Sequence, residues 1–429
     1  MTLTRRALMG VGIGATAAAI TACSGNSGQT SDSTSGGKPT GSIRFSMWPG
    51  GATIPAWKDV IARFQRSHPG TKVTLESTDY GTYWTKLNTQ MASGSAPDVI
   101  GMQFQGPLLG LQGQLAPLDS TVADVISKIP ANLASIGQTK DKDGKTATYA
   151  LPWHFVGSSL YANMTELGKA GIAYPESGWT TDDFLAAAKE LTGDGSFGCQ
   201  VPQGSMQTVI ASTFGAAPLS ADGKTATYNT AEMLANKTWL RDLIYVHKVA
   251  PQPSKLSAQK DPFATGQVRM SFQGSWQTPV YREIKNFDWD IVPNPNGQQP
   301  AKNYAGPDMV SVYAKSENMP LAQAFIKYAV FNRNAQEAIS PTGSPVLIDY
   351  LSDPARIAAE AKQKPAHYKY FVDEASKHGE GWAFVAKFSD IGKLEGDAEY
   401  KIYASPTSDI QGILADLNDK VQAALDSTH

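Results

Sequence analysis

Cysteine is nearly missing: two in 429 residues leave no disulfide framework, and six histidines offer little material for a zinc cluster. Charge of one sign is also lacking. The 37 Lys and Arg are matched by 39 Asp and Glu, a formal net charge of −2, so no basic field exists to hold phosphates and nucleic acid is not expected as a partner. The chain has no Gly-x-Ser-x-Gly elbow, His-Glu-x-x-His, Cys-x-x-Cys or glycine-rich dinucleotide fingerprint. Asp141-Lys142-Asp143-Gly144 begins like a calcium loop, but its twelfth position is Pro152 where a bidentate Glu is needed. A glycoside hydrolase or lyase passes this screen, because two carboxylates that meet in space leave no linear signature. With 41% hydrophobic and 18% charged residues the composition is that of a globular chain, long enough for two or three units with a sizeable core.

One heptapeptide repeats letter for letter, Asp143–Tyr149 and Asp222–Tyr228. Its Gly-Lys-Thr resembles a phosphate loop, but the glycine required five residues earlier is Thr139 in one copy and Pro218 in the other. Asp-Gly before alternating residues instead predicts a hairpin turn entering a strand.

Residues 1–22 read as a signal peptide: Arg5 and Arg6 precede an apolar stretch, Ala7 to Ile20, too short to span a bilayer comfortably. It ends in Ile20-Thr21-Ala22-Cys23, which resembles a bacterial lipobox and implies lipidation of Cys23. Thr4 to Met9 is also similar to a twin-arginine export signal. Residues 23–41 contain almost nothing but small and polar residues, so they cannot bury surface and are expected to be a flexible tether. No later segment reaches 18 apolar residues.

The body alternates. Residues 42–48 predict a strand, 54–67 a helix with Trp57, Val60, Ile61 and Phe64 on one face, 71–77 a strand, 83–94 a helix and 97–102 a short buried strand. Such strand–helix–strand spacing predicts a mostly parallel sheet covered by helices. The pattern restarts near Gly178, with helices at 181–191 and 231–246 and strands near 197–201, 269–272 and 289–292. A strand at 309–313, a helix at 320–331 and a helical tail complete it. Cys199 has no partner in the body and reads as a small buried hydrophobe. Trp179 and Trp239 read as core.

Aromatic residues gather beside turn residues at strand ends: Trp48 before Pro-Gly-Gly, Tyr80 and Tyr83 after a strand, Trp153-His154-Phe155 after Pro152, and Trp276 after Gly274-Ser275. Ligands of open α/β sheets bind beyond the carboxyl ends of strands. A flat ring there offers the CH-rich face of a sugar an apolar contact while amides, acids and His pair with its hydroxyls.

Ala92-Ser93-Gly94-Ser95-Ala96-Pro97-Asp98-Val99-Ile100, Tyr149-Ala150-Leu151-Pro152-Trp153 with Leu160-Tyr161-Ala162-Asn163, and Phe263-Ala264-Thr265-Gly266-Gln267-Val268-Arg269-Met270 with Gly274-Ser275-Trp276 occur in this order. With the lipobox, they resemble the extracellular solute-binding proteins of bacterial ABC sugar importers, the maltose-binding protein family; Arg269 stands where the family carries a small residue. The resemblance implies an α/β, two-lobe periplasmic-binding-protein-like fold with a hinge and central cleft, its mixed, mostly parallel sheets flanked by helices. The lobes would be 42–151 plus 308–350 and 152–306 plus 351–429. It implies a monomer that binds an oligosaccharide without catalysis, cofactor or metal and passes it to the transmembrane subunits of an ABC permease, anchored by lipid to the outer face of the cell membrane. Carried over position by position, Trp276 takes the place of the ring-stacking Trp. Gln103 and Gln105 follow the Pro-Asp-Val-Ile strand; Trp153, His154 and Phe155 follow the crossover Pro; Asp308 lies in the return crossing. Trp48, Tyr80 and Trp382 complete the expected site. The alternatives are the secreted glycoside hydrolase or lyase, and a lectin that binds without closing.

Overall fold

The computed structural model describes residues 39–50, 52–140, 143–256, 260–368, 370–371, 379–380 and 388–427. Cys23, the signal segment, most of the tether and Trp382 lie outside them.

Three parallel strands start the molecule: β1 (Gly41–Met47), β2 (Thr71–Ser77) and β3 (Val99–Met102), with β1 between the other two. The helix Thr53–Ser67 carries the chain from β1 to β2 and buries Trp57, Val60, Ile61 and Phe64, the face its spacing predicts. The second crossover, Tyr80–Ala92, starts three residues earlier than its apolar pattern. Asp79 caps it, accepting a hydrogen bond from the Gly81 amide at 3.0 Å.

Past a small hairpin, β4 (Gln138–Lys140) and β5 (Thr146–Thr148), the chain enters β6 (Leu151–Asn163), thirteen residues long. The first copy of the heptapeptide forms this hairpin as expected. The second copy turns with Gly223 at φ 71°, but yields only an isolated bridge, Leu219 to Ala226. Then come β7 (Phe197–Cys199), β8 (Val268–Gly274), β9 (Trp289–Val292), β10 (Asn303–Val312) and β11 (Gly379–Glu380).

All but the hairpin strands join in one mixed sheet, ordered β2-β1-β3-β10-β6-β8-β7, with β9 on β6 and β11 on β10. β6 contributes to two cores, and β10 pairs along it. The first packs Phe45, Trp57, Phe64 and Trp153 with Met309, Phe325 and Tyr350. The second packs Val156, Phe184, Met270 and Phe272 with Leu414, Leu417 and Val421 of the terminal helix Ile410–Asp426. On β6 the change of core therefore falls between Trp153 and Val156. A smaller aromatic cluster, Tyr161, Phe263, Tyr281, Trp289 and Phe371, closes the flank of the second. Each such side chain, fully buried, stabilises by roughly 1.5–3 kcal/mol.

Cys199 is fully buried, as expected, and burial pushes its thiol well above the usual range. Trp179 and Trp239 pack at the margin of the second core; Trp179 Nε1 donates to the Pro293 carbonyl at 2.8 Å.

Candidate functional site

Because β1, β2 and β3 are parallel, their carboxyl ends lie on one edge of the first lobe. Trp48, Tyr80, Gln103 and Gln105 follow those ends directly. β10 runs antiparallel to β3 with Met309 opposite Met102, which places Asp308 beside the start of the Gln103 turn. A bulge in the pairing with β6 falls between Asp308 and Met309 and sets Asp308 across from His154.

These placements close a chain of hydrogen bonds. Tyr80 Oη donates to Gln103 Oε1 at 2.8 Å, and Gln103 Nε2 donates to Asp308 Oδ1 at 3.1 Å. Asp308 Oδ2 meets His154 Nε2 at 2.8 Å, and His154 Nδ1 meets Thr342 Oγ1 at 2.8 Å. Gln105 is buried and turns its Oε1 back to the Gln103 amide at 2.9 Å, so it shapes the turn that presents Gln103. Trp48 packs edge-on against Tyr80 and Tyr83, with centroids 5.6 and 5.2 Å away, and stiffens the Tyr80 ring.

The second lobe contributes an opposing edge. β7 and β8 are parallel, and at the end of β8 the chain turns through Gly274 into Ser275–Gln277. A Cβ on Gly274 would lie 2.0 Å from the Trp276 ring, so glycine is what lets that ring lie flat on the backbone. Trp276 is half-buried, backed on one side by the second core. Two contacts fix its turn: Tyr161 Oη donates to the Gly274 carbonyl at 3.2 Å, and Gln277 Nε2 donates to Asp261 Oδ2 at 3.2 Å.

Register spaces the two edges along β6, where His154 pairs with Asp308 and Ser158 pairs with Gly274. Four strand steps separate the two pairings, about 13 Å at 3.3 Å per residue. Phe155 stands half-exposed within this stretch, its amide and carbonyl both paired with Ser344 at 2.8 Å. Phe104, which sequence reasoning passed over, also stands here. A Cβ on Gly306 would meet its ring at 2.4 Å, so Phe104 lies against the bare backbone of β10. Its only sequence signal was its place between Gln103 and Gln105.

Two of the expected ligand contacts are corrected. Trp153 is fully buried, edge-on to Trp57 at 5.0 Å inside the first core, where no ligand reaches its face. His154 is only 1% exposed and stacked on Trp153 at 3.5 Å; it holds Asp308 from behind rather than meeting a ligand itself. Gln105 and Asp308 are buried at 7% and 9% exposure, the first supporting Gln103 and the second joining Gln103 to His154. Tyr80, at 38% exposure, is the open ring of this group. Among the described residues no three His, Cys, Asp or Glu side chains gather as a metal site, and no helix is long and apolar enough to cross a membrane.

Residues 50–336 match the family of bacterial extracellular solute-binding proteins. The chain belongs to that family. An uncharacterised lipoprotein of Streptomyces antibioticus is 24% identical over 348 residues, covering 73% of this chain and 74% of its own. The multiple sugar-binding protein of Streptococcus mutans is 24% identical over 315 residues, 68% of this chain and 71% of its own. Among solved structures, an ABC substrate-binding protein of Listeria monocytogenes in complex with cycloalternan superposes with a TM-score of 0.80 at 22% identity. It covers 90% of this chain and 99% of that one. The two-domain solute-binding fold, with its mixed α/β sheet flanked by helices, is therefore the fold of this family member.

Proposed function

We propose that this solute-binding protein captures a neutral oligosaccharide in the gap between its two lobes and delivers it to the membrane subunits of an ABC permease. One observation supports the reading: a polar array, Tyr80–Gln103–Asp308, stands at the carboxyl ends of the first lobe's parallel strands, and the half-buried indole of Trp276 at the end of β8, four steps away along β6. Amides, a carboxylate and a phenol pair with hydroxyls; the indole covers a ring face. The crossing strands β6 and β10 are the hinge, so the lobes, 42–151 plus 308–350 and 152–306 plus 351–429, close on the ligand as rigid bodies. The sugar-binding relative and the cycloalternan complex support this ligand class. Cys23 carries the lipid and residues 24–41 the tether, a reading supported by the Streptomyces antibioticus lipoprotein.

Glycoside hydrolysis needs two carboxylates flanking the bond. Of the site residues described above Asp308 is the one carboxylate facing the gap, and both its oxygens are held, by Gln103 and His154. The test is thermal unfolding against di- to tetrasaccharides of several linkages, with the sugars recovered and sized afterwards. A ligand at a hundred times its Kd adds about 2.7 kcal/mol, enough to raise Tm by several degrees. A shift with one linkage class and intact sugar supports binding; shortened product establishes the hydrolase, and no shift with any glycan overturns the oligosaccharide ligand.

A further inference from the structure

At the edge of the second lobe away from the Trp276 turn, β6 ends and β8 begins, and buried hydrogen-bond donors gather there. Register brings them together. Ala162 stands opposite Met270 on β8, so the next residue, Asn163, comes beside Arg269; on its other side Asn163 stands opposite Trp289 of β9. Opposed residues of antiparallel strands turn their side chains to one face, with Cβ atoms about 5 Å apart. Arg269, Asn163 and Trp289 therefore form a row across three strands. Along β8 this row lies five steps before Gly274, about 17 Å from the turn that carries Trp276.

The row is deep. Asn163 is 0% and Trp289 2% exposed, and the Arg269 side chain is mostly covered. Among the described residues Asn163 Nδ2, Arg269 Nε and Trp289 Nε1 are buried nitrogens without a hydrogen-bond partner. The Asn163 amide cannot be turned round to present its oxygen instead, because Oδ1 accepts from the Glu166 amide at 3.1 Å at the start of the helix Met164–Lys169. Buried donors side by side cost free energy unless an acceptor meets them.

Charge says which acceptor. Two cations share one carboxylate: Lys169 Nζ lies 2.8 Å from Glu166 Oε1, and Arg269 Nη2 lies 3.9 Å from Glu166 Oε2. The Lys169 hydrogen bond, helped by the Arg269 charge, holds the Glu166 carboxyl below its ordinary range. Lys364, beside the Trp289 ring, is met by Asp288 and leaves this count unchanged. One positive charge is left over beside three donors. A water molecule would bring no charge and two protons that need acceptors of their own, and a dianion would overshoot the balance.

We propose that Arg269, Asn163 and Trp289 bind a halide-sized monoanion, which fastens the end of β6 to β8 and β9. The site belongs to the second lobe alone and does not rest on the interlobe reading.

The experiment is thermal unfolding of the full protein in sodium chloride and sodium bromide from the micromolar to the hundred-millimolar range, with sodium methanesulfonate, too bulky for the row, keeping the ionic strength constant. The expected result is a saturable rise of Tm with both halides. Arg269→Met should abolish that rise. Asn163→Ser, which keeps a cap oxygen, and Trp289→Phe, which keeps a ring, should each raise the half-saturating concentration about fivefold, the loss of one hydrogen bond. Those two variants carry the test if Arg269→Met does not fold. A bromide-soaked crystal should show anomalous scattering within hydrogen-bond reach of Arg269 Nε and Asn163 Nδ2. Three results overturn the proposal: no saturable difference between halide and methanesulfonate, the same half-saturating concentration in Asn163→Ser and Trp289→Phe as in the parent, or bromide bound only elsewhere with a water in the row.

Discussion

Asp308 ties three segments of the chain through two oxygens: one takes Gln103 from the turn after β3, the other takes His154, itself braced by Thr342. Removing His154 leaves a carboxylate at 9% exposure without its buried partner. We predict that His154→Ala costs about 3 kcal/mol or more of stability, measured by urea unfolding, and that His154→Gln recovers part of it by donating from its amide. At the other edge, Trp276 is half-buried against Gly274, so truncation opens no core cavity. Trp276→Ala should weaken sugar binding by roughly 1–3 kcal/mol in titration calorimetry while leaving Tm nearly unchanged; equal affinity would remove Trp276 from the site. Sequence patterns placed Trp48, Tyr80, Gln103 and Trp276 at strand ends, where they are found. They could not show that Trp153 is buried, because nearly every residue of β6 is buried and no alternation marks one face.

The elements follow the same rule. The helix Thr53–Ser67 was legible because one face is buried and the other is wet, leaving a 3.6-residue period. β6 was legible only at its ends, because nearly every one of its thirteen residues is buried and alternation vanishes. β10 was read from 309 but begins at Asn303 for a similar reason: its last seven residues are all buried. The start at Tyr80 was missed because the signal was a cap, not an apolar residue. Asp79→Ala should lower stability by about 1 kcal/mol and, by loosening Tyr80, weaken sugar binding as well. The helix Phe388–Tyr403 carries a pH dependence. Burial pushes Glu399 from 4.5 up to about 7, opposed in part by Lys237. The folded state therefore holds a proton that the unfolded state has lost between those values, so stability falls as pH rises from about 4.5 to 7. Thermal melts should show Tm declining over that window, and Glu399→Gln should flatten the decline.

At the scale of the whole molecule, one strand, β6, contributes to both cores, with β10 paired along it. The docking of the carboxyl-terminal helices on the second core was not legible, because a stripe such as Ile410, Leu414, Leu417 and Val421 says that a helix is covered but not by what. The central claim is that the lobes close on an intact sugar. It is tested most directly by small-angle scattering of the protein with and without the saccharide that raises its Tm, the sugar being sized afterwards. The account predicts a smaller radius of gyration at saturation and unchanged sugar; an unchanged radius at saturation, or cleaved sugar, would contradict it.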